Sequence, residues 1–211
     1  MSKVLEYDVV IAGLGPAGAS LAYFLRNSGL RVVGLDMVGP ENVWGKPCGD
    51  AVGKSHFDET GLPYPEGDAL KQVVEGIDIV SPSKDLTIRV VGPGFIIDRN
   101  KYGMRLLREA SAKGVDIYLN TRVVSPKLES GKLVGVKAVG KDGEELLFKG
   151  KVVVDATGNS GLLRRQLPKE WPVNEPLDPK DSNIAYREIR ELTYEIEEPS
   201  ILKIYIDQET S

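Results

Sequence analysis

The stretch from Tyr7 to Asp36 limits what this chain can fold into more than any other. Asp8 to Ala12 reads as a short strand, apolar after its first residue, as expected inside a parallel sheet covered on both faces. It runs into Gly13-Leu14-Gly15-Pro16-Ala17-Gly18, after which Leu21, Phe24 and Leu25 recur at helical spacing, with Gly29 where a helix stop belongs. A second apolar run, Leu30 to Leu35, ends on Asp36, 18 residues beyond Gly18 (36 − 18). Gly13 permits a tight turn, Gly15 lets a pyrophosphate approach the backbone, and Gly18 lets the helix pack closely on its strand. The helix N-terminus offers unpaired N–H groups and partial positive charge to phosphates. Asp36 ends the second strand where a carboxylate can accept hydrogen bonds from ribose hydroxyls. A G-x-G-x-x-G turn alone says little. With strand, helix and terminal acid all in place it reads as a dinucleotide site, the alternative being a structural turn that binds nothing.

Bulk properties remove several function classes. A length of 211 residues suits one large domain or two small ones. The net charge of −4 with mixed signs gives no broad basic surface, which argues against nucleic acid as a partner. The longest apolar runs are far short of a membrane span, and the first strand begins too early to leave room for a signal peptide. A single cysteine excludes an internal disulfide framework and agrees with a reducing cytoplasm. A single histidine, His56, leaves no His-rich metal site, and no metal is expected.

Further along, Met37 to Asp50 is a long irregular connection carrying Trp44 and Lys46-Pro47-Cys48-Gly49-Asp50, a composition that suits a functional loop. Cys48 reads either as a buried small hydrophobe, the common fate of a free thiol, or as a working residue. Ala51 to Glu59 predicts a short helix. Val73 to Ile97 breaks into short β runs divided by Ser-Pro-Ser and Gly-Pro-Gly turns, a small antiparallel sheet inserted into an α/β domain. Asp98-Arg99-Asn100 introduces a helix that stops near Gly114. Arg99, at a strand-to-helix junction, could clamp a phosphate or pair with a carboxylate such as Asp98. Short strands are expected at Val115 to Leu119, Thr121 to Val124, Leu133 to Val139 and Glu145 to Phe148, with hairpin turns at Ser130-Gly131 and Asp142-Gly143.

Lys151 to Gly158 repeats the opening logic, a buried strand ending in a glycine turn. Asp155 and Gly158 thereby sit where open α/β sheets bind ligands, with a helix cap and a turn glycine as the plainer reading. Ser160 to Leu167 predicts a short helix. Prolines 168, 172, 176 and 179 mark a loop, Asn183 to Glu198 leans toward strand, and Ser200 to Asp207 alternates as a half-buried antiparallel strand. Because that strand lacks a hairpin partner, the chain reads as truncated.

Asp8 to Gly18, Asp36, Lys46 to Asp50, Ile97-Asp98-Arg99 and Val154 to Gly158 occur in an order that resembles the flavoproteins shaped like p-hydroxybenzoate hydroxylase. Within that group the Cys-Gly-acid loop is similar to the geranylgeranyl reductases, notably the archaeal enzymes that saturate the prenyl chains of membrane ether lipids. The ending Ile204 to Glu209 is similar to the strand leading into their substrate-cavity motif. The resemblance implies an α/β, Rossmann-like FAD-binding domain of the glutathione-reductase or p-hydroxybenzoate-hydroxylase type over 1–167, with β strands inserted at about 73–97. Residues 168–211 would begin a substrate domain.

Carried over by position, Gly13, Gly15, Ala17 and Gly18 would hold the FAD pyrophosphate and Asp36 its ribose. Cys48, Gly49 and Ala51 would lie beside the flavin. Arg99 would reach the cofactor phosphates, Val123 would contact the adenine side, and Asp155 to Gly158 would support the pocket. Cys48 would also be the catalytic side chain. The implied partners are an isoprenoid lipid and a nicotinamide or ferredoxin-like electron donor, in the cytoplasm, with peripheral membrane association left open. The family's third flavin motif and its aromatic substrate motif have no counterpart in these residues. An aromatic monooxygenase or halogenase on the same fold, and a non-catalytic FAD-binding fragment, stand as alternatives.

Overall fold

Alternation along the first strand places its side chains in two layers. In the computed structural model, which describes residues 3–175, 178–182 and 184–206, strand β1 (Lys3–Ala12) buries Val10 and Ala12 on one face and Val9 and Ile11 on the other. A strand covered on both sides must be apolar throughout its buried part, which explains the run Val9 to Ala12. Helix α1 (Pro16–Leu25) follows the glycine turn and carries Ala22 onto the second face. Strand β2 (Val32–Leu35), buried at all four residues, returns parallel to β1 with Val9 opposite Val32 and Ala12 opposite Leu35.

The chain divides into two compact units, Met1–Lys46 with Gly103–Ile184 and Pro47–Tyr102 with Ala185–Ser211. This differs from the linear expectation of a domain at 1–167 followed by a second at 168–211. Residues 47–102 carry a sheet of their own, and the last strand joins it by pairing with an element more than a hundred residues earlier.

Within the second unit, strand β3 (Ala51–Gly53) leads into helix α2 (Lys54–Thr60), so the helix expected at Ala51 begins three residues later. Strands β4 (Leu70–Val80) and β5 (Thr87–Ile97) form one long hairpin, the antiparallel insertion expected here. Gly92-Pro93-Gly94 is not a turn but lies inside β5. The ladder skips from Val74–Gly94 to Gly76–Val91, and that irregularity spares Pro93 a ladder hydrogen bond it could not donate. Phe57 anchors the unit's aromatic core, edge-on to Tyr64, Phe95 and Tyr102, and the Tyr102 hydroxyl donates to the Pro63 carbonyl at 2.7 Å. Helix α3 (Arg99–Ser111) contains the dividing line at Tyr102/Gly103.

Back in the first unit come strands β6 (Asp116–Tyr118), β7 (Arg122–Glu129), β8 (Lys132–Val139) and β9 (Glu145–Asp155). The sheet order is β6-β2-β1-β9-β8-β7, with β6, β2, β1 and β9 parallel and the β8–β7 hairpin added antiparallel. The expected strands at Glu145 and Lys151 are one continuous strand. Its first part pairs with β8 while its whole length runs beside β1. The helix expected at Ser160 to Leu167 is instead two short 3-10 turns, Gly158–Ser160 and Arg164–Gln166.

Strand β10 (Ile201–Tyr205) completes the second unit's sheet, order β10-β4-β5-β3, and runs parallel to β4 rather than antiparallel as expected. Residues 184–198 form no regular element, against the expected strand. Ile184, Tyr186 and Ile189 stand exposed. Of the sequence readings, Pro176, Asn183 and Asp207-Gln208-Glu209 lie outside the described residues.

Candidate functional site

The order of strands reverses around β1, with β2 reached through α1 on one side and β9 on the other, so the carboxyl ends of β1, β2 and β9 form the place where open α/β sheets bind ligands. Three glycines in the turn above β1 have three different environments. Gly13 has φ +94, and a Cβ there would stand 2.4 Å from the Ala156 carbonyl oxygen, because the end of β9 closes against this turn. At Gly18 a Cβ would come within 1.9 Å of the Gly13 carbonyl oxygen, which sets how closely α1 approaches the strand. Gly15 has ordinary backbone angles (φ −64, ψ −171) and nothing within 4 Å of its absent Cβ. The fold itself does not require glycine at 15, and the open space lies at the N-cap of a ten-residue helix. Pro16 at the first helical position has no N–H, and those of Ala17 and Gly18 precede the start of the intrahelical ladder.

Asp36 closes this turn. Its Oδ2 accepts the Leu14 N–H at 2.6 Å and its Oδ1 accepts the Val38 N–H at 3.1 Å. The acid therefore serves the fold as well as any ribose, a role the sequence reading did not foresee. Trp44 also holds the turn, its indole N–H donating to the Leu14 carbonyl at 3.1 Å. The ring occupies the space where Gly103 lacks a side chain, with ring atoms 2.9–3.0 Å from a notional Cβ.

At the second glycine turn the Asp155 carboxylate is fully engaged. Oδ1 accepts from the Thr157 hydroxyl (2.6 Å) and Thr157 N–H (3.1 Å), and Oδ2 accepts the N–H groups of Leu163 and Arg164, both at 2.9 Å. Burial pushes this carboxyl up, but the hydrogen bonds from Thr157, Arg164 and Leu163 outweigh it and hold Asp155 below the usual carboxylate range. Asp155 thus braces the turn, tying the end of β9 to Thr157 and to the backbone at Leu163 and Arg164. Gly158 (φ +68) faces Lys46, whose Nζ lies 3.6 Å from where a Cβ would be. This places a cation at the second glycine turn, a residue the sequence reading quoted in a motif without assigning it to the site. The basic residue opening Lys46-Pro47-Cys48-Gly49 was the available signal. Val123 is buried in the sheet's core with Val136 and Ala138, and it lies opposite Ala138 in the β7–β8 pairing, so its side chain packs.

Cys48, Gly49, Ala51 and Arg99 belong to the second unit. Cys48 is a free, exposed thiol, which removes the reading of a buried packing group. Pro47, Gly49 and Ala51 are exposed too, while Asp50 between them is buried. Arg99 opens α3, and Asp98 before it accepts the Lys101 N–H at 3.0 Å and pairs with Lys71 at 3.1 Å. Among the described residues no group of three His, Cys, Asp or Glu side chains could hold a metal ion, and no helix is long and apolar enough to cross a membrane.

No protein-family model matches the chain. Over 210 residues, 99% of its length, it is 43% identical to the digeranylgeranylglycerophospholipid reductase of Sulfolobus acidocaldarius, of which it covers 46%. The chain is a homologue of these reductases. It spans about half the length of the curated relatives it matches. Among solved structures, a geranylgeranyl bacteriochlorophyll reductase-like protein from Thermoplasma acidophilum superposes with a TM-score of 0.79 at 21% identity, over 97% of this chain and 51% of that one. The myxobacterial chondrochloren halogenase, described as a variant of FAD-dependent halogenases, gives 0.63 at 22% identity over 78% and 39%. At such identities the likeness is one of fold, and the fold is that of the FAD-dependent oxidoreductases.

Proposed function

We propose that this chain is the FAD-binding part of a reductase that saturates prenyl C=C bonds of isoprenoid ether lipids or their precursors. The observation that carries the reading is the 43% identity over 210 residues, 99% of the chain. The residues fit the cofactor. Gly15 leaves open space at the N-terminus of α1, where backbone N–H groups and the helix dipole favour a pyrophosphate. Asp36 sits at the end of β2 with one backbone donor on each oxygen, leaving lone pairs for ribose hydroxyls. Lys46 brings positive charge to the second glycine turn.

When bound, FAD supplies the two-electron hydride chemistry that no side chain of this chain can provide. One alkene carbon then receives a hydride equivalent and the other a proton. An isolated alkene is a poor electrophile, so the proton must be held ready by a side chain. We assign that position to Cys48, an exposed thiol in a glycine-flanked turn. A nicotinamide or ferredoxin-like donor would recharge the flavin, and the long apolar substrate would bring the protein to a membrane surface.

The test is direct. Purified protein should be yellow, with the absorbance of oxidised flavin, and the lipid product should gain two mass units per double bond when reductant and a geranylgeranyl ether lipid are supplied. A colourless protein that binds only nicotinamide would sink the assignment. Turnover of a polar aromatic substrate with oxygen would favour the monooxygenase or halogenase reading.

A further inference from the structure

Asp50 is the buried member of an otherwise exposed loop. Pro47, Cys48 and Gly49 face solvent, whereas the Asp50 side chain is only 7% exposed. Its backbone lies in the left-handed region at φ +61, which costs an L residue with a side chain and favours glycine. Oδ2 is paired with Arg187 Nη1 at 2.6 Å. Oδ1 is fully buried and has no hydrogen-bond partner among the described residues. The Asp50 carbonyl accepts the Ile97 N–H at 3.0 Å, so the residue is fixed to the sheet by its backbone and to the 185–190 segment by its side chain. Three costs meet at this residue: an unfavourable φ, a buried charge and a bare acceptor. The ion pair offsets the second. Buried polar atoms are otherwise almost always partnered, so a bare Oδ1 calls for a donor that the described residues do not supply.

We propose that Asp50 is the positioning residue of the Cys48–Gly49 turn. Arg187 latches its Oδ2, and Oδ1 is kept for an N–H or O–H donor on the ligand that lies against the turn. Flavin ring N–H groups and ribityl hydroxyls are donors of that class. The pair joins residues 137 apart in the chain (187 − 50), so one contact makes the geometry of the thiol turn depend on a segment without secondary structure of its own. The ligand arm of this inference rests on the proposed flavoprotein reading. The latch arm does not.

The experiment uses the intact protein and four substitutions. Asp50→Gly relaxes the left-handed backbone while removing the carboxylate, and Asp50→Asn keeps the shape without the charge. Arg187→Gln breaks the latch, and Arg187→Lys retains it. Hydrogen exchange without flavin or lipid should rise at least fivefold at 184–192 in both Asp50 variants and at 47–53 in Arg187→Gln, and stay within twofold of wild type in Arg187→Lys. With FAD and a geranylgeranyl lipid, Asp50→Gly and Asp50→Asn should lose at least tenfold in kcat with KM changed less than threefold, and the bound-flavin absorption bands should shift. Arg187→Lys should keep kcat within threefold. Unaltered kcat in Asp50→Gly would overturn the positioning role, because a purely structural carboxylate is dispensable once glycine relieves the backbone. Unchanged exchange in both Asp50→Asn and Arg187→Gln would overturn the latch. A wild-type protein that takes up no FAD would sink the proposed function, while the exchange measurements would still decide the latch.

Discussion

Gly13→Ala and Gly15→Ala, two residues apart in one turn, should fail in opposite ways. At Gly13 the added methyl meets the Ala156 carbonyl oxygen at 2.4 Å, and both residues directly follow Ala12 and Asp155, the last pair of the parallel β1–β9 ladder. Overpacking of this kind costs about 1–3 kcal/mol, and holding alanine at φ +94 adds roughly 1–2 kcal/mol. A total near 3 kcal/mol lowers the melting temperature of a chain this size by about 6–12 °C. At Gly15 the same methyl meets nothing within 4 Å and the backbone angles suit any residue, so the apo protein should melt within about 3 °C of wild type. The methyl would stand where a pyrophosphate has to approach, and FAD affinity should fall on the order of ten- to a hundredfold, ~1.4–2.7 kcal/mol. Calorimetry of the apo proteins and fluorescence titration with FAD separate the two effects. A Gly15→Ala protein that binds FAD like wild type would refute the pyrophosphate placement. A melting loss equal to that of Gly13→Ala would refute the open space itself.

Cys48→Ser should leave the melting temperature unchanged, since the thiol is exposed, while prenyl saturation measured by mass spectrometry slows or stops short of completion. Asp36→Ala should weaken the fold and the flavin site together. It removes the acceptor of the Leu14 and Val38 N–H groups, about 1–3 kcal/mol by urea unfolding, so the affinity loss must be compared with Asp36→Asn, which keeps one acceptor. Asp155 carries a depressed pKa in the folded chain, so its contribution to stability is complete above the unfolded value near 4 and is lost as the pH falls through the folded one. Asp155→Asn should therefore lower stability at neutral pH and flatten the acid limb of a stability–pH curve. Parallel curves for mutant and wild type below pH 4 would contradict the linkage.

The opening strand–turn–helix–strand was legible because every signal in it is local: alternating burial along β1, a glycine turn, a helix stop, an acid at the strand end. The inserted hairpin was legible as β structure but not in length. Gly92-Pro93-Gly94 carries the chemistry of a turn, and only the skipped register opposite Glu75 lets it stay inside β5. The direction of β10 was not legible at all, since Leu202 and Ile204 alternate identically beside a parallel or an antiparallel neighbour. At the site, the glycines and Asp36 announced themselves by spacing. Lys46 over Gly158, and Asp50 against Arg187, depend on pairings between distant segments that no local pattern encodes.

The parallel pairing of β10 with β4 also sets a timetable. Ile201 sits opposite Gly76, so an edge of β4 waits 125 residues (201 − 76) for its neighbour to leave the ribosome. At about 5–20 residues per second that wait is roughly 6–25 s. Throughout it, an eleven-residue strand presents unpaired N–H and C=O groups along one side, the kind of edge on which chains associate wrongly. The second unit cannot be completed in the order it is made, and the nascent protein is most vulnerable while the later strands of its first unit are being finished.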